Sequence, residues 1–260
     1  MDGPSHVYEH ITILEWWSIY DVDAMLSKKW LIKAGEYIRF VTDKTIIEKY
    51  TKRYAFLEQA VKERGELTSL EGYLYPDTYY IDKDKNIVDQ LVYVQLEAFQ
   101  QKIRKPYAQD LKNLSKHLSS LWFDFKLSSY GALILASLIE KEERNDENKP
   151  LIASIFFNRL DKNTKIDADI SLCYGLKKWY EYCNPDVIVE HLYDTDNPYN
   201  TRAVVWLPPT PISNVTVASL KAILDARKTD NVFYLHDKAW GLHVGKNISE
   251  HNANKSKYLH

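Results

Sequence analysis

Apolar positions along the chain alternate or recur at helical spacing in blocks, and the blocks predict the elements. Ile11-Thr12-Ile13 is a short run with β-branched ends and predicts a strand. Ile19, Val22, Met25 and Leu26 then recur at helical spacing, with Ser18 as N-cap and Lys28-Lys29 suited to the C-terminal dipole. A second helix follows Gly35, and a third starts near Asp43 or Thr45 and runs to about Glu63. From Ser69 the composition shifts to Gly, Tyr, Pro and Asp. Leu70–Tyr80 reads as an extended segment with a turn at Tyr75-Pro76-Asp77, because a residue before proline avoids the helical region.

Asn86 is placed to cap a helix whose apolar face is Val88, Leu91, Val92, Leu96, Phe99 and Ile103. A further helix, broken near Pro106, reaches about Leu121. Ser128 or Ser129 caps the next helix, and Pro150 stands at the first position of the one after it. Thr216 precedes a helix that buries Val217, Leu220, Ile223 and Leu224. Val232–His236 and Leu242–Val244 read as paired strands joined through Asp237–Gly241.

The helix after Ser129 carries the first chemical candidate. Leu133, Ala136, Ser137 and Glu140 share one helical face, so Glu140 closes an apolar stripe where a cleft wall would stand. Partial exclusion of water there raises a carboxyl pKa, which is what a general acid needs. The structural alternative is a Glu at the end of a buried helix, paired with Arg144 at i+4. Glu142 points roughly 200° away around the helix and is not expected to serve.

Loops on a rigid scaffold often carry binding groups, which makes Glu71 and Asp77 candidates to hydrogen-bond a substrate or orient the acid. Asp77 bonding its own turn is the plainer reading. Asn158-Arg159 lie close enough in sequence to reach the end of the Glu140 helix, where Arg159 would fix a carboxylate or form a structural ion pair. Asp167 and Asp169, at period two, would point to one face of a strand. No histidine or further carboxylate completes a ligand set beside them, so neither a metal nor any other cofactor is expected. Asn197–Thr201 is a proline turn rich in hydrogen-bonding groups, and Leu207–Ile212 is a rigid extended segment. His243 and His251 either contact substrate or are hydrogen-bonded structural residues.

Composition narrows the class. At 260 residues one or two domains are expected, and a net charge of −2 without a long basic block excludes a nucleic-acid partner. Aromatic residues make up 13%, with 19 Tyr, which suits the apolar faces of sugar rings as well as strands and cores. The longest nearly apolar run, around Ala132–Ile139, is too short to span a bilayer, and no basic-then-apolar leader opens the chain. Cys173 and Cys183 fit no zinc or C-x-x-C spacing. The expectation is two unpaired, partly buried thiols, with a disulfide as the alternative outside the cytoplasm.

Six motifs occur in order: Glu71-Gly72-Tyr73-Leu74-Tyr75-Pro76-Asp77-Thr78-Tyr79, Ala136–Glu142, Phe157-Asn158-Arg159-Leu160, Asn197-Pro198-Tyr199-Asn200-Thr201, Leu207-Pro208-Pro209 and Glu250-His251-Asn252. Together they resemble the MltG-type (YceG-like) endolytic murein transglycosylases, from about Ile11 to the C-terminus. The resemblance implies an α+β fold. A small LysM-like module would occupy residues 1–68, and a catalytic domain of helices packed on short antiparallel strands residues 69–260. It implies cleavage of the MurNAc–GlcNAc bond of peptidoglycan, leaving 1,6-anhydro ends, with Glu140 matching the catalytic Glu. It also assigns substrate contacts to Glu71, Tyr73, Tyr75, Asp77, Asn158, Arg159, Asp169, Tyr199, Asn200, Thr201, His243, Glu250, His251 and Asn252. Partners would be glycan strands and cell-wall synthesis proteins. The family carries an N-terminal membrane anchor that this sequence lacks, so the expected location is the extracytoplasmic face of the cytoplasmic membrane. A lysozyme-like hydrolase using Glu140 and Asp169, or a glycan-binding relative without activity, are the alternatives. The family position of Asp167 is usually Gln, a departure in this chain.

Tryptophan is a second departure. The chain has 7 Trp and 8 Gly, whereas average glycine usage is about 7%. At Trp16, Trp30, Trp206 and Trp240 the resembling family usually has glycine, at places that often need positive φ: a turn after a strand, a helix end, the approach to Leu207-Pro208-Pro209 and a hairpin turn. UGA is read as glycine in some bacterial codes and as tryptophan in others. Reassigning the four takes glycine from 8 to 12 and tryptophan from 7 to 3. The alternative is that the four indoles line a sugar-binding surface.

Overall fold

The computed structural model describes residues 7–177 and 183–259. The fold is mixed α+β, mostly helical, with two two-stranded antiparallel sheets among the described residues. The chain divides into two compact units: residues 1–109 with 210–217, and residues 110–209 with 218–260. The boundary read from sequence at 68/69 falls inside the first unit. The reason is β1 (Tyr8–Thr12), which pairs antiparallel with β2 (Thr78–Asp82) and so ties the segment beyond residue 69 to the start of the chain.

In the first unit α1 (Ile19–Lys28) is capped as expected: Asp21 Oδ2 accepts from the Ser18 amide and hydroxyl at 2.8 and 2.6 Å. The α2 helix (Glu36–Thr42) starts on Asp23, which is buried and accepts from the Gly35 and Tyr37 amides at 2.7 and 2.9 Å. The expected third helix is two, α3 (Lys44–Arg53) and α4 (Ala55–Arg64). Tyr54 breaks it with an extended backbone, burying its ring while its hydroxyl donates to Glu97 Oε1 at 2.7 Å.

Asn86 caps α5 (Ile87–Phe99). Pro106 does not break the chain's path there. A π turn over Gln100–Arg104, in which the Lys105 amide reaches the Gln100 carbonyl, leads directly into α6 (Lys105–Ser120), and this widened turn next to the proline keeps the helical run continuous.

The second unit is built around α7 (Ser129–Glu142), buried on every side from Tyr130 to Glu140. It packs on α8 (Lys149–Asp161), whose residues Ile152–Leu160 are also all buried, and on α9 (Asp169–Gly175). The strand expected at 166–169 is absent. Asp167 is left-handed at φ 66, and Asp169 already begins α9. The cause lies in Thr201: its carbonyl accepts from the Asp167 amide at 3.1 Å and its hydroxyl from the Ala168 amide at 3.0 Å, so the segment pairs with a turn instead of a sheet.

The two cysteines form a disulfide between α9 and Cys183, two residues ahead of α10 (Pro185–Glu190), with Cα atoms 5.8 Å apart, not the free thiols expected. Asn184 caps α10, its Oδ1 accepting from the Val187 amide at 3.0 Å. After α11 (Val217–Asp225), β3 (Phe233–His236) and β4 (Leu242–Gly245) pair as predicted and receive α12 (Ile248–Tyr258). Both α10 and α12 lack a clear apolar stripe, and no residue of either is buried.

Candidate active site

Glu140 is 3% exposed. Its Oε1 lies 3.0 Å from the Lys149 ammonium, which is itself 1% exposed and also meets Asp146 at 2.7 Å. Burial alone would lower the Lys149 ammonium, but Glu140 and Asp146 outweigh it and hold it above the usual lysine range. The pair ties the end of α7 to the start of α8. The Glu140 carboxylate is thus ion-paired and almost wholly removed from solvent.

One half-turn on, Glu142 presents the opposite case. The residue keeps intermediate exposure, yet its carboxyl is surrounded closely enough that desolvation is the largest influence on it. Burial pushes it up to about 7, with the Asp169 and Asp167 charges adding to the rise while the Tyr234 hydroxyl and the Arg202 guanidinium oppose it. The Tyr234 hydroxyl that meets it is held well above its own usual range, first by burial and then by the Glu142 charge.

The facing wall is charged and open to solvent. Arg202 Nη1 is 3.0 Å from Asp167 Oδ1, and Arg202 Nε bonds Asp169 Oδ1. The side chains of Asp167 and Asp169 are 38% and 41% exposed, so this wall is reachable where Glu140 is not. The two aspartates read from sequence as one face of a strand do converge, but through a left-handed turn and an arginine.

Most of the other candidates build the frame behind these groups. Asn158 Nδ2 donates to the Thr229 and Asn231 carbonyls at 2.7 and 2.8 Å, and Arg159 Nε to the Val232 carbonyl at 2.6 Å. These bonds fix the approach to β3 and hence Tyr234. Arg159 Nη1 donates at 3.0 Å to the Lys165 carbonyl, holding the loop that carries Asp167. Asn197 and Asn200 fasten their turn to the Leu172, His191 and Asp194 carbonyls. That turn presents Thr201 and Arg202, and its Tyr199 ring packs on Tyr174.

His251 stacks on Phe233, on which the Arg159 guanidinium also lies. His243 bonds Asp237 at 2.8 Å and stacks on Tyr258. Glu250 accepts from the Asn247 side-chain and Lys246 backbone amides at the start of α12, and Asn252 is exposed on that helix.

The remaining four candidates belong to the first unit. Glu71 is buried and its Oε2 accepts from the Ile19 amide at 2.9 Å, placing a carboxylate at the start of α1. Tyr73 is buried between Phe56 and Phe99. Asp77 bonds the Thr78 amide at 2.8 Å and Lys102 at 2.6 Å, and that lysine holds its carboxyl below the usual range and lies over the Tyr75 ring.

Sequence reasoning passed over Glu142, Tyr234, Arg202 and Lys149. Lys149 carried no local signal, since a lysine at a helix start is ordinarily exposed; its burial is set by the packing of α8 on α7, and a buried ammonium needs a carboxylate. An open cleft of about 790 Å³ between α6 and α8, lined by His117, Leu151 and Arg227 among others, contains none of the Glu142 group.

The comparisons with known proteins agree with one another. The YceG-like family profile matches residues 1–257. A protein of Streptococcus pneumoniae serotype 2 (strain D39), named endolytic murein transglycosylase, is 28% identical over 233 residues, covering 88% of this chain and 40% of the relative. A Bacillus subtilis (strain 168) protein of the same name is 26% identical over 250 residues, covering 96% and 65%. The chain thus spans less than two thirds of the length of either relative. The crystal structure of a Listeria monocytogenes protein described as YceG-like superposes with a TM-score of 0.76 at 25% identity, covering 94% of this chain and 75% of that one. With a family match over nearly its whole length and a shared fold, this chain belongs to the YceG-like family.

Proposed function

We propose that this chain is an endolytic lytic transglycosylase of peptidoglycan, and that Glu142 is its acid and base. The observation that carries the reading is a desolvated carboxyl with a pKa of about 7, on a residue of intermediate exposure, hydrogen-bonded to the half-buried Tyr234 and facing the paired charges of Asp167, Asp169 and Arg202. The names of the relatives supply the substrate class.

In the proposed reaction protonated Glu142 gives its proton to the oxygen between MurNAc and GlcNAc as the bond to the MurNAc anomeric carbon breaks. The N-acetyl oxygen of the same MurNAc bonds that carbon in place of a protein nucleophile. Glu142, now a carboxylate, takes the proton from the C6 hydroxyl, whose oxygen displaces the N-acetyl oxygen. The product is a 1,6-anhydro end, Glu142 is protonated again, and no water is consumed. Tyr234 steadies the carboxylate stage by hydrogen bonding, and Asp169 supplies negative charge where the anomeric carbon becomes positive.

A two-carboxylate hydrolase is less well supported, since Asp169 is engaged by Arg202 rather than free to activate water. Of the substrate contacts expected in the Glu71–Asp77 and Glu250–Asn252 segments, those of the accessible Tyr75, Asp77, Glu250 and Asn252 stay part of this proposal, while buried Glu71 and Tyr73 support the fold. Partners in cell-wall synthesis and a place at the outer face of the cytoplasmic membrane also stay part of it. Among the described residues no helix is long and apolar enough to cross a membrane. The LysM-like reading of the chain's opening is supported by the antiparallel β1–β2 pair with helices between its strands.

Digestion of purified peptidoglycan, followed by mass spectrometry before and after borohydride reduction, tests the reading. Anhydro-ended fragments that resist reduction are expected. Reducible ends would establish hydrolysis instead, and binding without cleavage would sink the enzyme reading.

A further inference from the structure

Tryptophan supplies 7 of the 260 residues, yet five of the eight non-glycine residues with positive φ among the described residues are tryptophans. They are Trp16 (φ 58), Trp30 (58), Trp122 (67), Trp206 (91) and Trp240 (63). A bulky side chain meets its own backbone in this region, and asparagine and glycine are the residues that enter it at low cost.

Two of the five occupy a position with a known preference. After α1, the Trp30 amide bonds the Ser27 carbonyl at 3.0 Å and the Leu31 amide the Leu26 carbonyl at 3.0 Å. After α6, the Trp122 amide bonds Ser119 and the Phe123 amide bonds Leu118, each at 3.1 Å. Both are complete Schellman endings, and in both the left-handed residue that glycine normally fills is tryptophan. The same ending after α8 uses Asn163, the ordinary substitute for glycine.

The other three sit at comparable points. Trp16 is the third residue of a turn closed by the Trp17 amide on the Leu14 carbonyl at 3.4 Å. Trp240 ends the turn that opens the β3–β4 hairpin, its amide 3.0 Å from the Asp237 carbonyl. Trp206 leads into Leu207-Pro208-Pro209.

At the two helix ends the indoles give little back for this strain, whereas Trp206 meets the Phe125 ring edge-on and Trp240 lies against His236 with the Arg144 guanidinium over it. Trp30 is 94% exposed and Trp122 is 81% exposed, against 42% and 50% for Trp206 and Trp240. Trp16 and Trp30 lie in the first unit and Trp122, Trp206 and Trp240 in the second, and what the five share is a left-handed backbone at a helix end or turn.

We infer that the native polypeptide carries glycine at Trp16, Trp30, Trp122, Trp206 and Trp240, because its gene is read with UGA as a glycine codon. Reassignment takes glycine from 8 to 13 and leaves two tryptophans. Trp17 is the internal contrast. It lies next to Trp16 but has no positive φ, and its carbonyl accepts from the Asn214 amide at 2.8 Å. Nothing in its backbone asks for glycine.

The gene in its source genome is the first test: UGA at the five positions and UGG at Trp17 are expected, and UGG at the five overturns the inference. The protein supplies a second test that does not depend on the gene. The full chain is prepared as written, with all five changed to glycine, and with all five changed to alanine. Alanine removes the indoles but keeps the Cβ that strains a left-handed backbone, so it isolates the conformational effect from the loss of exposed rings. The glycine set is expected to melt above the alanine set by roughly 2–4 °C for each position that is strained. Trp17→Gly is expected to lower the midpoint. A glycine set that melts no higher than the alanine set refutes the inference.

Discussion

Lys149 holds its ammonium 3.0 Å from Glu140 Oε1, and both side chains are almost wholly removed from water. Removing one partner of such a pair leaves the other charged or polar group stranded, at a cost of about 3–5 kcal/mol. Lys149→Met is therefore expected to lower the melting midpoint sharply. A paired Glu140→Leu, Lys149→Met protein removes both charges and should recover most of that loss. Its cleavage of peptidoglycan per folded molecule should stay near the starting value, measured beside a melting curve. Complete loss of cleavage by a folded, stable double variant would return the catalytic role to Glu140.

Glu142→Gln keeps the shape of the side chain and one hydrogen bond to Tyr234 but can neither give nor recover a proton. A loss of about 10²–10⁴-fold in the rate of anhydro-end release is expected, with an unchanged far-UV spectrum. Near-normal turnover by this variant would end the assignment.

The same carboxyl makes stability depend on pH. Its pKa rises from about 4.5 in the unfolded chain to about 7 in the folded one, so the folded state binds the proton more tightly. This contribution is fully present below pH ~4.5 and is lost as pH rises through ~7, where a charged carboxylate must stand in a desolvated site. The change is at most about 3 kcal/mol, from roughly 1.4 kcal/mol per pKa unit. Glu142→Gln should therefore be more stable than the parent at pH ~8, and the gap should close by pH ~4.5. Denaturant melts at the two pH values measure it, and equal gaps at both would contradict the raised pKa.

How far the sequence alone reached depends on what each element answers to. Helices α1, α5, α7 and α8 announce themselves by apolar period and by Ser18, Asn86, Ser128 and Pro150, since caps and stripes are local properties. Tyr54 and Asp167 could not be read locally, because a hydroxyl bond to Glu97 and a clasp by Thr201 determine their backbones. The surroundings of the two α7 carboxylates were beyond local reading for a related reason. A helical wheel treats Glu140 as the edge of a stripe, but α7 is buried all around. Its last inward carboxylate is consumed by Lys149, and the first position to meet the open side is Glu142. Tyr234 and Arg202 are far away in sequence, and only the folded frame of Asn158, Arg159 and Thr201 brings them there. The motif residues were thus visible before the group they support.

Arg202 offers the last test, one that separates a placed charge from a merely structural arginine. It bonds Asp169, pairs with Asp167, and opposes the rise of the Glu142 pKa that those two charges promote. Arg202→Gln removes a positive charge near Glu142, takes from Asp169 its guanidinium partner and leaves Asp167 with Arg159 at 3.5 Å, so both effects push the Glu142 pKa upward from about 7. The general acid is then protonated over a wider range. The alkaline limb of kcat/KM, which reports the free enzyme, should move to higher pH. The maximal rate should fall at the same time, because Asp169 loses the partner that holds it in place. Arg202→Lys keeps a positive charge but not the two-pronged geometry, so it should keep the limb nearer its original position while still lowering the rate. A reduced rate with an unmoved pH profile in Arg202→Gln would reduce Arg202 to a structural clamp and remove the electrostatic link to Glu142.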